Sequence, residues 1–224
     1  MKPTLSIGFL LFVLIPRQGT CDKFNLTEEV KKYIENYIAY ELVDYSLDKP
    51  VAGIKPTLKA EAGHVIYEDC RGTTSYFRDL NCSDFYIWYI YNSTVTPFNL
   101  STDLEVSYKG ERNVTHNVNL NNATSVHWNP ENLTLPLKYP KTFSEKKCNF
   151  SIEITCRGLF VYDIRRPKGD KPGKNSFGIG HVADLNSKRL VKRGDDVLAY
   201  NISGVFQHTV TCKYDLERSS SETR

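Results

Sequence analysis

From Gly63 onward, apolar and polar positions alternate with a period of two. The runs at 64–70 (HVIYEDC), 85–92 (FYIWYIYN), 103–110 (DLEVSYKG), 112–120 (RNVTHNVNL), 149–156 (NFSIEITC), 159–166 (LFVYDIRR) and 204–215 (GVFQHTVTCKYD) are rich in Val, Ile, Thr, Tyr and Phe. Such residues suit a pleated, half-buried surface. Phe150, Ile152, Ile154 and Cys156 share one strand face, and Ser151, Glu153 and Thr155 the other. Lys109-Gly110, Asn121-Asn122, Arg157-Gly158 and Ser203-Gly204 read as the intervening turns. The expected fold is mainly β, an antiparallel β-sandwich or barrel linked by disulfides.

One segment has a different period. In 26–47 (LTEEVKKYIENYIAYELVDYSL), Val30, Tyr33, Ile34, Tyr37, Ile38 and Leu42 recur at spacings of three and four, interrupted by Glu41. That stripe predicts one N-terminal amphipathic helix packed on the β-structure. Thr27, followed by Glu28 and Glu29, suits its N-terminus.

The first 21 residues carry Lys2, an apolar run from Leu5 to Ile15, then Pro16 and small residues. This is the layout of a signal peptide, and the run is too short for the roughly 20 residues of a membrane span. The expected organisation is signal peptide 1–21, helix and linker 22–62, glycosylated β-domain 63–215 and disordered tail 216–224. No second spanning run, lipid-anchor tail or retrieval signal follows, so the expected location is secreted and extracellular.

Sequons support that location. Asn25, Asn81, Asn92, Asn99, Asn113, Asn122, Asn132, Asn149 and Asn201 each begin N-x-[ST] without a central proline. Composition alone predicts roughly two to three. Glycans need solvent, so the segment between Asn81 and Asn149 is expected to be widely exposed.

An oxidising compartment turns the cysteines into disulfide candidates: Cys70, Cys82, Cys148, Cys156 and Cys212, with Cys21 at the cleavage site. Cleavage after Thr20 leaves six and cleavage after Cys21 leaves five. Connectivity stays open, and without a CxxC pair no metal site is called for.

Charge is segregated. Residues 138–193 hold 14 Lys/Arg against 5 Asp/Glu, whereas 22–137 hold 10 against 16. The basic segment is a candidate glycosaminoglycan contact. Nucleic acid is a poor partner, given the compartment and the lack of interleaved aromatics.

Signals for chemistry are absent. His64, His116, His127, His181 and His208 form no HExxH, and no serine sits in G-x-S-x-G. Gly178-Ile179-Gly180-His181-Val182-Ala183 matches G-x-G-x-x-A without the expected strand and helix around it. GDKPGKNS departs from a phosphate loop in spacing and in Asn175. The chain is therefore expected to be no enzyme and to need no cofactor. Carboxylates brought together by folding remain the route to a hydrolase.

Two tripeptides remain. Lys168-Gly169-Asp170 and Arg193-Gly194-Asp195 have the form that integrins bind, a cation and a metal-ligating acid splayed by a glycine turn. Composition predicts about 0.1 such motifs. Basic Gly/Asp turns are also common loop material. Lys188-Arg189 and Lys192-Arg193 add dibasic processing sites, one of which would cut the second motif.

Signal peptide, sequon cluster, few cysteines, β-rich body and [KR]GD loops together resemble secreted immunomodulatory glycoproteins of parasites and blood feeders, of the tick salivary immunosuppressant type. That resemblance implies binding of a protein receptor or soluble host factor to modulate immune or haemostatic responses, without catalysis. Two alternatives stand beside it: a β-barrel carrier of a small hydrophobic ligand, suggested by 14 tyrosines and 11 phenylalanines, and an unrecognised secreted hydrolase.

Overall fold

The computed structural model describes residues 23–38, 40–76, 81–131, 140–167, 175–185 and 188–213. The signal peptide, Cys21, Asn132, Lys168-Gly169-Asp170 and the C-terminal tail lie outside the described residues.

The chain opens with β1 (Phe24–Asn25) and α1 (Leu26–Tyr37). The cap is Asn25 rather than Thr27: its side-chain oxygen accepts from the backbone N–H groups of Thr27 at 3.1 Å and Glu28 at 3.4 Å. Leu26, Val30, Tyr33 and Ile34 are buried. The helix is half its expected length, and the remainder forms β2 (Glu41–Ser46). Ile38 already has extended backbone. Beyond it, Leu42, Val43 and Tyr45 suit a strand, and pairing with β10 (Leu159–Arg165) supplies the hydrogen bonds a fourth helical turn would have made. Glu41, the break in the stripe, pairs with Arg165 at 2.8 Å.

Next come β3 (Lys59–Gly72), β4 (Asn81–Ile90), β5 (Thr94–Val95), β6 (Ser101–Tyr108), β7 (Arg112–Asn119), β8 (Ser125–Trp128) and β9 (Pro140–Arg157). After β10 follow β11 (Ser176–Gly178), a 3₁₀ helix η1 (Ile179–Leu185), β12 (Val191–Gly194) and β13 (Val197–Lys213). The main sheet has the order β3-β9-β13-β4-β8, with β12 also on β13. A second sheet, β11-β10-β2, and the β6–β7 hairpin are likewise antiparallel, while β1 and β5 pair in parallel. Among the described residues no helix is long and apolar enough to cross a membrane.

Both faces of the main sheet follow from sequence alternation. Phe150, Ile152 and Ile154 on β9, Ile202 and Phe206 on β13, and Tyr86 and Trp88 on β4 are buried. Tyr86 donates to the Ser107 carbonyl and Thr102 to the Gly63 carbonyl, fastening the hairpin over one end of that face. Toward the other end Phe24 packs on Tyr200, and Tyr33 of α1 meets Phe160 and Phe177.

Ser203-Gly204 is no turn. Both lie inside β13, a single 17-residue strand. A Cβ at Gly204 would collide with the Tyr89 carbonyl and the Phe150 ring, so glycine serves close approach here. Lys109-Gly110 is a turn with both residues at positive φ.

Two disulfides form. Cys82 and Cys212 face each other across β4 and β13. Cys70 reaches Cys148 at the bulge where β3 slips register between Glu68 and Arg71. Cys156 is not a disulfide residue: it is free and buried, with Ala60 and Leu198 as its ladder neighbours. Burial pushes its thiol up to about 12.

The Cys82–Cys212 bridge spans 130 residues. Replacing both with alanine is expected to cost about 4–5 kcal/mol in urea unfolding. Cys156 adds an alkaline signature. The folded thiol holds a proton that the unfolded thiol, near 9.0, releases. Its contribution is intact below pH 9 and falls between 9 and 12 by up to about 1.4 kcal/mol per unit. The difference between wild-type and Cys156→Ala stability curves across that window measures it.

Candidate functional site

Three features bear on function: the Arg193-Gly194-Asp195 turn, a buried polar cluster, and two cavities beside the hairpin. Arg193 and Gly194 end β12, and Asp195 opens the two-residue turn into β13. It is fixed from behind, because Gly180 N–H donates to the Asp195 carbonyl at 3.0 Å and Gly158 N–H to the Asp196 carbonyl at 2.8 Å. Gly178 and Gly180 let this happen: a Cβ on either would strike the backbone of the turn. The G-x-G-x-x-A match thus does sit between a strand and a helix, but its glycines seat a hairpin, and η1 is a seven-residue 3₁₀ helix.

Arg193 and Asp195 leave the turn toward different partners. Arg193 pairs with Glu153 of β9 at 3.0 Å. Asp195 has its side chain 80% exposed, with Lys192 at 3.2 Å and His181 at 3.7 Å. Asp184 also reaches Lys192, at 3.8 Å, and His181, at 3.4 Å. Exposed ion pairs of this kind are worth roughly 0.2–1 kcal/mol, so both members of the motif exchange partners at little cost. A Cβ at Gly194 would meet nothing closer than 3.7 Å.

Several described cations of the basic segment are paired, mostly with acids of the same segment, so its excess of positive charge remains. Arg165 meets Glu41, Lys147 meets Glu145, Arg193 meets Glu153, and Lys192 meets Asp184 and Asp195. Of the sequons, Asn81, Asn99, Asn113, Asn122, Asn149 and Asn201 are exposed. Asn25 caps α1, and Asn92 is half-buried, donating to the Asn201 carbonyl and accepting from Ser203.

The polar cluster has no signature in local sequence, its core pair being 124 residues apart. Asp84 of β4 is fully buried. His208 Nε2 of β13 donates to it at 2.5 Å, Tyr76 Oη at 2.6 Å, and the Lys109 backbone N–H at 3.3 Å. The His208 ring stacks on Tyr86 at 4.3 Å. Desolvation first, then Asp84, raises the Tyr76 and Tyr86 phenols well above their ordinary value. Both phenols stay protonated as donors. Asp84 is the one buried carboxyl among the described residues.

A cavity of about 190 Å³ lies beside this cluster, lined by His208, Tyr76, Lys146, Glu105 and Phe206 among others. A wider groove of about 590 Å³ lies between β3 and the hairpin, lined by His64, Val65, Tyr67, Asp103, Glu105, Val106, Ser107 and Asn113. Both are open to solvent, and the main core between the sheets is filled by aromatic and branched side chains. Among the described residues no group of three or more His, Cys, Asp or Glu is arranged to hold a metal ion.

No protein-family model matches the chain, and no curated protein matches it by sequence. Among solved structures it is similar to a chain of the Cry23Aa1–Cry37Aa1 binary protein complex, at 12% identity and TM-score 0.42 over 89% of this chain and 93% of that one. A non-toxic crystal protein from Bacillus thuringiensis aligns at 11% identity and TM-score 0.43, over 85% and 94%. The β-pore-forming protein Mpp75Aa1.1 from Brevibacillus laterosporus aligns at 10% identity and TM-score 0.27, over 78% and 67%.

Asp84→Ala strands the buried His208 Nε2 and the half-buried Tyr76 Oη as donors, and is expected to destabilise by about 3 kcal/mol in denaturant unfolding. Glu68→Ala, at an exposed carboxyl on β3, is expected to stay within about 0.5 kcal/mol.

Proposed function

We propose that the chain is a secreted glycoprotein that binds host cells or soluble host factors, modulating immune or haemostatic responses, with Arg193-Gly194-Asp195 as its recognition element. The observation that carries this reading is the placement of the motif. It sits at the tip of a hairpin, pinned from behind by η1, with the acid facing solvent and the cation on a separate partner. A preorganised turn loses little conformational entropy on binding. The motif itself carries no sequon, and the sequon nearest it in sequence is Asn201, exposed on β13 opposite Glu153.

The filled core supports a binding surface over a carrier's interior. A small hydrophobic ligand needs enclosed apolar space, whereas the cavities described here are open and lined with acids, histidines and a lysine. A hydrolase of the paired-carboxylate type needs two acids facing one cleft in contrasting environments; the two acids that do share a groove, Asp103 and Glu105, are both exposed, and the buried Asp84 is not among that groove's lining residues.

Adhesion of integrin-bearing leukocytes and platelets to the immobilised glycosylated protein tests the reading. Asp195→Glu keeps the charge but displaces the carboxylate by one methylene, and Gly194→Ala leaves the fold of the turn undisturbed while placing a methyl between the cation and the acid that a receptor must approach. Each is expected to lower cation-dependent adhesion about tenfold or more, which is about 1.4 kcal/mol. Asp170→Glu, assayed in parallel, separates the other motif. Wild-type adhesion by both turn variants would return Arg193-Gly194-Asp195 to the role of an ordinary hairpin.

A further inference from the structure

We infer that the groove between β3 and the β6–β7 hairpin is a carbohydrate cradle, and that its occupant is the chain's own N-glycan on Asn113. This rests on the reading of the chain as a secreted glycoprotein. Asn113 begins the sequon Asn113-Val114-Thr115 and is exposed on β7, opposite Ser107. It is also one of the residues lining the groove, so a sugar bonded to its side chain begins at the wall of the cavity.

The lining suits such an occupant. Asp103 and Glu105 are exposed acceptors on the outward side of β6, two residues apart and therefore on one face. Asp103 already accepts from Asn117 Nδ2 at 2.6 Å, which fixes its position and leaves further lone pairs for sugar hydroxyls. Ser107 and the exposed His64 of β3 add groups that donate or accept. Tyr67 contributes a half-buried ring, oriented by its bond to Trp88 Nε1 at 2.9 Å, against which a pyranose C–H face can lie. The volume, about 590 Å³, is within the range of small-molecule sites and holds roughly the first two or three sugar rings. The opposite signs expected of a lipid or peptide anion site are missing: the acids outnumber the cations along this groove.

A docked glycan joins β3 to the hairpin across a contact that otherwise includes the Thr102–Gly63 hydrogen bond. It also shields the outward acids of β6. Its role is structural, and it involves neither the β12–β13 turn nor the polar cluster.

The test uses the full chain secreted from glycosylating cells and treated, folded, with peptide-N-glycosidase, with release followed site by site by mass spectrometry. Asn99, exposed just before β6, is the internal control. Release at Asn113 is expected to be about tenfold or more slower than at Asn99 in the folded protein and equal to it after denaturation. Glu105→Ala and His64→Ala, one from each wall, are expected to speed release at Asn113 and leave Asn99 unchanged. Because the variants are read against Asn99 in the same molecule, a general loosening of the fold is distinguishable from loss of the cradle. An unmodified Asn113, equal native rates at the two sites, or slow release indifferent to both substitutions would each overturn the inference. Modification of the other sequons alongside a bare Asn113 would sink the cradle while leaving the secreted glycoprotein reading standing. Absence of glycan at every sequon would sink both.

Discussion

The backbone ladder on either side of β13 is the constraint from which the rest of the molecule follows. β13 pairs with β9 from Val197 to Lys213 and with β4 from Gly204 to Lys213, so its hydrogen-bonding groups are satisfied on two sides over most of its length. A strand held this way has no freedom of register, because a slip of one residue would turn Ile202, Phe206 and Val210 outward and Asn201 and Ser203 inward. Burying such side chains contributes about 1.5–3 kcal/mol each, which fixes the pairing far more firmly than any single polar contact. Once β13 is placed, Cys212 faces Cys82, His208 faces the interior beside Asp84, and β12 is brought round through the Arg193-Gly194-Asp195 turn.

This dependence explains why the two ends of the sheet differ. Where β13 and β4 run together, the inner face is closed by the hairpin, and a bulky polar pair sits under it. His208 and Asp84 are tolerated in the interior because each donor and acceptor is matched: Asp84 takes bonds from an imidazole, a phenol and a backbone amide. Where β13 runs with β9 before β4 joins it, from Val197 to Ser203, the closing elements are η1, β1 and α1, packed through Phe24, Tyr33 and Tyr200. Glycines at 178 and 180 bring the backbone of η1 against the hairpin turn, so the exposed motif is rigid without any side chain of its own being buried.

Period-two alternation made the β-character legible in sequence, and seven of the elements stand where the alternation placed them. What misled was local chemistry whose outcome depends on distant partners. Residues 41–46 continue a helical spacing, yet the strand they form is decided by β10, more than a hundred residues away. Ser203-Gly204 carries a turn signature, yet Gly204 is there because β4 and Phe150 approach too closely for a side chain. Cys156 looked like its four companions, but which cysteines meet is a property of register, and only Cys82–Cys212 and Cys70–Cys148 fall opposite each other. The Asp84–His208 pair, at 124 residues' separation, was invisible for the same reason.

The motif illustrates how far a short signature reaches on its own. Three residues in sequence specify a cation, a hinge and an acid, but a receptor reads a geometry. Here that geometry comes from elements that carry no part of the signature: Glu153 draws the guanidinium across the outward face of the sheet, Lys192 and His181 stand beside the carboxylate, and Gly158 and Gly180 hold the carbonyls behind it. The ion pairs are exposed and weak, and together with the backbone bonds they keep the two charges apart. A flexible loop with the same letters would sample that arrangement as one conformer among many, and its affinity would fall by the fraction of time spent in it. Under the proposed reading the hairpin removes that loss, through backbone bonds that side-chain variation at the tip leaves intact.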